Sequence, residues 1–353
     1  MRSDTLQIVT IGGFGHVLSV LDEIRDHPGV VVAACAAAYA NEDITAVTAH
    51  PACGSARIFA DYRQMLDTIK PDVAIISTRL DRIAEAAIEA AQHGCHLICE
   101  KPPALSAESL QQLYAAVTDA NVNLAAMLSM KNKAAFRTAR RLYQEDIVGG
   151  AVVLNVRKSY KWGQRPAWFA ERRTYGDTFG WVGIHAFSLI YFVTGDLFTS
   201  LSAMESNLNH PDYPDCQDSA VVSGRLANGA AATISIDLFR PESAATWGDD
   251  WIRIVGTKGI LEANADEKVC RMMTAGDTSF RAVTLEPEGS IYRDFLDTVR
   301  GGSIDAALRD EAFLLTWQCL CARDAAASGR RVCIEKEFES LNVLSTPNQR
   351  IVV

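Results

Sequence analysis

Residues 96–105 read HLICEKPPAL: an apolar run ends in Glu100 and Lys101, and Pro102 and Pro103 follow at once. A lysine on a support stiffened by proline, at the end of a strand, is suited to moving a proton. It does so near neutral pH only if its pKa falls, which partial burial and a neighbouring cation both cause. Glu100 is expected to orient the loop or to moderate that shift. A solvated surface pair is the plain alternative for any Glu-Lys, and the prolines argue against it.

A second set precedes it. LQIVTIG (6–12) is a β-rich run leading into Gly12, Gly13, Phe14, Gly15 and His16, and an apolar helix follows. Glycines in that setting let a backbone approach a pyrophosphate seated on the helix N-terminus. Read as GxGxxG from Gly13, the pattern puts Leu18 where a third small residue belongs. An acid expected at the end of the second strand, to hold a ribose, is missing: Cys35 to Tyr39 carry none before Glu42, and no Arg stands nearby for a 2′-phosphate. Tyr39 or Asn41 is the expected substitute, and NAD and NADP stay equally open. Ser77 and Thr78, closing the fourth strand, join the cofactor-binding set with Glu100 and Lys101.

The third set lies further on. SYKWGQRPAWFAERR (159–173) mixes flat rings with groups that bind hydroxyls or carboxylates: Tyr160, Lys161, Trp162, Arg165, Trp168 and Arg173. In YGDTFGWVGIHAF (175–187), Trp181, His185 and Ser188 share one helix face. A neutral His185 accepts a proton or hydrogen bond at pH 7, and Trp181 offers a wall for a sugar ring. Asp249 and Asp250 are expected to serve a turn and ion pairs.

A glycine turn after the first strand, Glu-Lys-Pro after the fifth, and a Gly-x-His helix in the second half resemble the glucose–fructose oxidoreductase, inositol dehydrogenase and MocA (Gfo/Idh/MocA) family over nearly the whole chain. The resemblance implies an NAD(P)-dependent oxidoreductase acting on a sugar, polyol or inositol-like alcohol. Lys101 would contact nicotinamide ribose and substrate and transfer a proton, and His185 would bind substrate and assist. Tyr160, Lys161, Arg165, Trp168 and Trp181 would line the substrate pocket. Many relatives carry Asp four residues before the His and three after it, where this chain has Trp181 and Ser188, so Asp177 is the candidate replacement. The resemblance also implies a homodimer or homotetramer, paired through the open face of the second domain's sheet. Two other readings are a member that retains and recycles its cofactor, and a catalytically weak nucleotide- or sugar-binding protein.

The elements that must hold these residues follow from periodicity. Strand-like runs at 30–36, 56–60, 72–77 and 123–127 alternate with helical patterns, notably 82–93 and one opened by Ser106. This is an α/β, Rossmann-type doubly wound parallel sheet over 1–127. Over 128–335 a helix at 134–145, strands at 151–162, 251–256 and 259–263, and helices at 181–193, 291–300 and 309–328 make an α+β domain with a largely antiparallel open sheet. Asn228-Gly229 marks a two-residue hairpin turn, and 336–353 forms a tail. The chain has 353 residues and a net charge of −9, which excludes nucleic acid and anionic membrane as partners. Nine scattered cysteines, no apolar leader and no metal-ligand spacing point to a metal-free cytoplasmic protein.

Overall fold

The computed structural model describes residues 5–334. The chain divides into two compact units: Met1–Met127 with Ser290–Thr316, and Leu128–Gly289 with Trp317–Val353. The linear division had kept 290–316 with the second domain. The expected tail at 336–353 lies outside the described residues.

The first unit is built on six parallel strands, β1 (Leu6–Ile11), β2 (Val30–Ala36), β3 (Arg57–Phe59), β4 (Val73–Ile76), β5 (His96–Cys99) and β6 (Leu124–Ala126), in the order β3-β2-β1-β4-β5-β6. Apart from the edge strand β3, whose Ile58 is exposed, their Val, Ile, Leu and Ala runs have little exposure on either face, as parallel strands between helical layers require. The layers are α1 (Val17–Ile24), α2 (Tyr62–Ile69), α3 (Leu80–Gln92) and α4 (Ala107–Asp119). Ser106 and Ser109 cap α4 reciprocally. Helix α7 (Ile291–Arg300) packs Tyr292, Phe295, Leu296 and Val299 into the core that α1 forms with β1 and β2. Strand order reverses between β1 and β4, so their carboxyl ends open a crevice of the kind in which doubly wound sheets bind ligands.

The second unit carries nine strands: β7 (Ala151–Ser159), β8 (Phe198–Ser206), β9 (Ser219–Leu226), β10 (Ala231–Asp237), β11 (Trp251–Gly256), β12 (Gly259–Asn264), β13 (Val269–Thr274), β14 (Arg281–Ala282) and β15 (Val332–Cys333). All pair antiparallel except β7 with β10. Helices α5 (Ala134–Gln144) and α6 (Ile184–Thr194) cover one face, over Leu154, Val156, Val222, Ile234, Ile252 and Ile254. Helix α8 (Ala306–Ser328) completes the long helices among the described residues, and the division between the units falls within it.

Two sequence expectations change locally. The strand from 151 stops at Ser159, because from Tyr160 the chain turns into a loop joined to Gly248 by one isolated bridge. The hairpin between β9 and β10 turns through three residues, 227–229, not two. Leu226 N–H donates to Ala230 O at 2.9 Å, and Gly229 takes φ +90°. Asn228 Oδ1 accepts from Ala230 N–H at 2.8 Å, so the pair serves a type of turn in which only the glycine leaves the right-handed region.

The first unit is locked at one buried charge. Glu100, with no exposure, accepts from His16 N–H at 2.6 Å and from Lys101 N–H at 2.9 Å, and its Oε2 lies 2.9 Å from His16 Nδ1. Burial opposes its ionisation, but the charge and hydrogen bond of His16, with Lys101, outweigh it and bring the carboxyl from 4.5 to about 2. A depressed carboxyl stabilises the fold fully above its unfolded value and loses that contribution as pH falls toward the folded one. Glu100→Gln is therefore expected to lower stability by on the order of 3 kcal/mol near pH 7, with the gap to the parent narrowing below pH ~4.5; thermal melts from pH 7 downward check it. Gly229→Ala should cost about 1–2 kcal/mol in a urea titration: a Cβ there meets nothing within 4 Å, so backbone strain alone is read.

Candidate functional site

At the carboxyl ends of β1, β4 and β5 the first unit gathers one bonded set. Gly12, at φ +92°, donates its N–H to Ala36 O at 2.9 Å, and Phe14 N–H donates to Ser77 O at 3.0 Å. The Ser77 hydroxyl bonds back to Phe14 O. Gly15 has φ +85°, and a Cβ there would run into the Glu100 carboxylate. Residues 12–16, Ser77, Thr78, Glu100 and Lys101 thus come together across three chain segments. Lys101 is 1% exposed, so it is no solvated surface group, and its peptide bond to Pro102 is cis. Leu18, which broke the glycine pattern, points outward at 37% exposure.

Glu42 is the residue that linear reading passed over. From the loop after β2 its Oε1 accepts from Thr78 Oγ1 at 2.5 Å and Gly13 N–H at 3.4 Å, and its Oε2 accepts from Ala38 N–H at 2.7 Å. A carboxylate therefore does stand at the glycine turn, six residues beyond the strand end. Asn41 adopts φ +64° and is exposed, and Tyr39 lies beneath Arg79, whose Cζ is 4.9 Å from the ring centroid. Arg79, distant in sequence, is the arginine missing beside β2, yet its Nε and Nη2 both donate to Asp81, at 2.6 and 2.9 Å.

A dinucleotide fits these residues. Helix α1 starts without a cap from the His16 side chain and without an acid in its first turn, so beyond the His16 amide that Glu100 takes, its positive end suits an anion. Glu42 offers the acceptor that ribose hydroxyls need.

In the second unit the substrate candidates separate into two groups. Lys161 commits its ammonium to the carbonyls of Glu242 and Ala244, at 2.8 and 2.6 Å, and so braces a loop. Tyr160 lies against Lys158, whose Nζ is 4.1 Å from the ring centroid and 2.6 Å from Asp250 Oδ2. Burial opposes the Lys158 charge, but Asp250 and Tyr160 outweigh it and hold its pKa above the ordinary lysine value. Asp249 pairs with Arg157 at 2.8 Å. The other group is aromatic. Phe169 packs against Trp168 at 4.4 Å, Tyr175 at 4.5 Å and Trp181 at 5.8 Å between centroids, and Arg165 lies over its ring.

His185, 2% exposed, opens α6 directly behind a π-helical turn, Phe179–Gly183, that contains Trp181. The expected helix start at Trp181 therefore falls inside wider-wound backbone, a feature frequent at functional sites. Asp177 is spent locally: its Oδ1 accepts from Gly180 N–H at 2.7 Å. Burial raises its pKa to about 6 against that bond and the pull of Arg323.

Sequence comparison matches residues 10–127 to the family described as "Oxidoreductase family, NAD-binding Rossmann fold" and residues 136–262 to the "GFO/IDH/MocA C-terminal domain". A Thermotoga maritima structure carrying an oxidoreductase description shares the fold with TM-score 0.86 and 31% identity, over 93% of this chain and 99% of that one. A levoglucosan dehydrogenase solved with NADH and levoglucosan has TM-score 0.80 at 21% identity, over 94% and 99% of the two chains. The 2,7-anhydro-N-acetylneuraminate hydratase of Escherichia coli is 24% identical over 59% of this chain and 55% of its own length. The chain spans a little over half the length of the curated relatives it matches. With both domain matches in tandem and a near full-length likeness at 31% identity, this chain belongs to the Gfo/Idh/MocA oxidoreductase family, and its first unit is an NAD-binding Rossmann domain.

Proposed function

We propose that the protein transfers hydride between a sugar or polyol hydroxyl carbon and a nicotinamide cofactor, with NAD preferred over NADP. The observation that carries the reading is Lys101: an all but fully buried lysine at the carboxyl end of β5, next to a carboxylate bonded to the glycine turn. A bound nicotinamide supplies the hydride acceptor or donor. Lys101 takes the proton of the substrate hydroxyl, or returns it in the reverse direction. His185 binds that hydroxyl and assists, and the aromatic set around Phe169 excludes water and walls the sugar ring. The levoglucosan dehydrogenase relative, solved with NADH and a sugar, supports this chemistry.

The hydratase relative supports a second reading, in which the cofactor stays bound and is oxidised and reduced within one turnover, since a hydratase makes no net redox change. For assembly, we propose a homodimer or homotetramer through the open face of the nine-stranded sheet, where Val153, Val221 and Met204 are 38%, 43% and 71% exposed.

Preference for NAD follows from Glu42. A carboxylate suits the ribose diol and repels a 2′-phosphate. Calorimetry should show Glu42→Gln narrowing the NAD-over-NADP affinity ratio by about tenfold. An equal gain for both nucleotides would instead make Glu42 a plug in the pyrophosphate position. Lys101→Met should keep NADH affinity within a factor of a few while turnover of sugars and polyols falls by roughly 10²–10⁴-fold. Absorbance at the nicotinamide band reads it, and undiminished turnover would remove Lys101 from proton transfer. Nucleotide retained through purification, with product formed and no net NADH, would favour the recycling reading.

A further inference from the structure

Arg165 is chemically distinct within its unit. Its Nε and Nη2 are shielded from solvent and have no hydrogen-bond acceptor among the described residues. Among the described residues Arg82 and Arg137 each leave one nitrogen so placed, whereas Arg165 leaves two. Those two nitrogens form one edge of the guanidinium, whose N–H bonds run parallel and fork onto a carboxylate.

The setting holds that edge in place. The Arg165 Cζ lies 5.2 Å from the Trp162 ring centroid and 5.3 Å from that of Phe169, so flat faces pack against the planar cation. Trp162 is itself stacked on His210, with centroids 3.4 Å apart and planes 7° from parallel. The Tyr213 hydroxyl donates to Arg165 O at 2.7 Å and pins the backbone. Among the described residues no carboxylate pairs with the cation. Asp218 Oδ2 accepts instead from Leu208 N–H, Asn209 N–H and His210, and Glu205 pairs with Arg172. Each of these acids is bonded elsewhere through one oxygen. Although Asp218 Oδ1 and Glu205 Oε2 have no partner among the described residues, neither bonds Arg165, whose guanidinium keeps a pre-oriented pair of donors.

We infer that the substrate carries a carboxylate, as a uronic or aldonic acid does, and that Arg165 binds it through Nε and Nη2. The inference rests on the second unit being the substrate unit. Neutral sugars present no group that takes both N–H bonds as an anion does, and a buried charged donor pair discriminates strongly against a ligand that leaves it unmatched.

The test is calorimetry on the full chain saturated with NADH, which binds an alcohol without oxidising it. D-glucuronate, D-galacturonate and D-gluconate are titrated against D-glucose and D-galactose. The expected result is at least one acid binding about 10- to 100-fold tighter than its neutral counterpart. Arg165→Gln should erase that preference with NADH affinity unchanged. Arg165→Lys, which keeps the charge and loses the fork, should restore only part of it. Equal or better binding of the neutral sugars, no binding of any acid, or a preference that survives in Arg165→Gln overturns the inference. If circular dichroism shows Arg165→Gln unfolded, Arg165→Lys decides, and full preference there overturns it as well. Failure of NADH itself to bind would sink the oxidoreductase reading instead; the same sugars titrated against the protein alone then still decide the role of Arg165.

Discussion

A carboxylate with no exposure to water must be matched by donors or it will not stay ionised. Glu100 meets that requirement with partners from two places: the amide and ring of His16 behind the glycine turn, and the amide of Lys101 beside it. The consequences spread outward. Gly15 must be glycine because its missing side chain is the space the carboxylate uses, and it must tolerate φ +85°. Ser77, buried at the end of β4, ties its hydroxyl to Phe14 O in the same knot. Glycine turn and Glu-Lys-Pro segment, 84 residues apart between His16 and Glu100, are therefore one motif in space. Lys101 inherits its position from this arrangement. Its backbone is held by the neighbouring carboxylate on one side and by proline on the other.

Linear reading succeeds where the signal is local. The runs at 30–36 and 251–256 are strands over those residues, and Ser106 caps its helix, because each pattern needs only its own neighbours. It fails where a distant partner decides. Glu42 lies outside the window in which a ribose-binding acid is sought, and only the loop folding back to Gly13 and Thr78 gives it a role. Arg79 reaches Tyr39 across 40 residues by the same kind of return. Helix α7 has the periodicity of any amphipathic helix, and nothing in that pattern says which core receives Tyr292 and Phe295. The π-helical turn before His185 is illegible for another reason: one extra residue per turn leaves the apolar composition unchanged and alters only which side chains align.

The second unit shows why residue type alone underdetermines a binding site. SYKWGQRPAWFAERR, with Arg157 and Lys158 just before it, reads as a uniform mixture of rings and cations, and the structure sorts these cations by what each has already bonded. Lys158 is neutralised by Asp250, Arg157 by Asp249, Arg172 by Glu205, and Lys161 is spent on two carbonyls. Each has gained its partner inside the protein, and removal of Lys158 in particular would be felt first as lost stability, since it would leave the buried Asp250 charge unmatched. Arg165 differs in having its ring contacts satisfied and two of its donors shielded without an acceptor. Where the neighbouring cations are each bonded, an unpaired but ordered cation is a feature the fold alone does not require. On the inference that Arg165 binds a carboxylate, the ligand is the reason to keep it, because replacing it with an apolar side chain of similar volume would relieve the cost of burial.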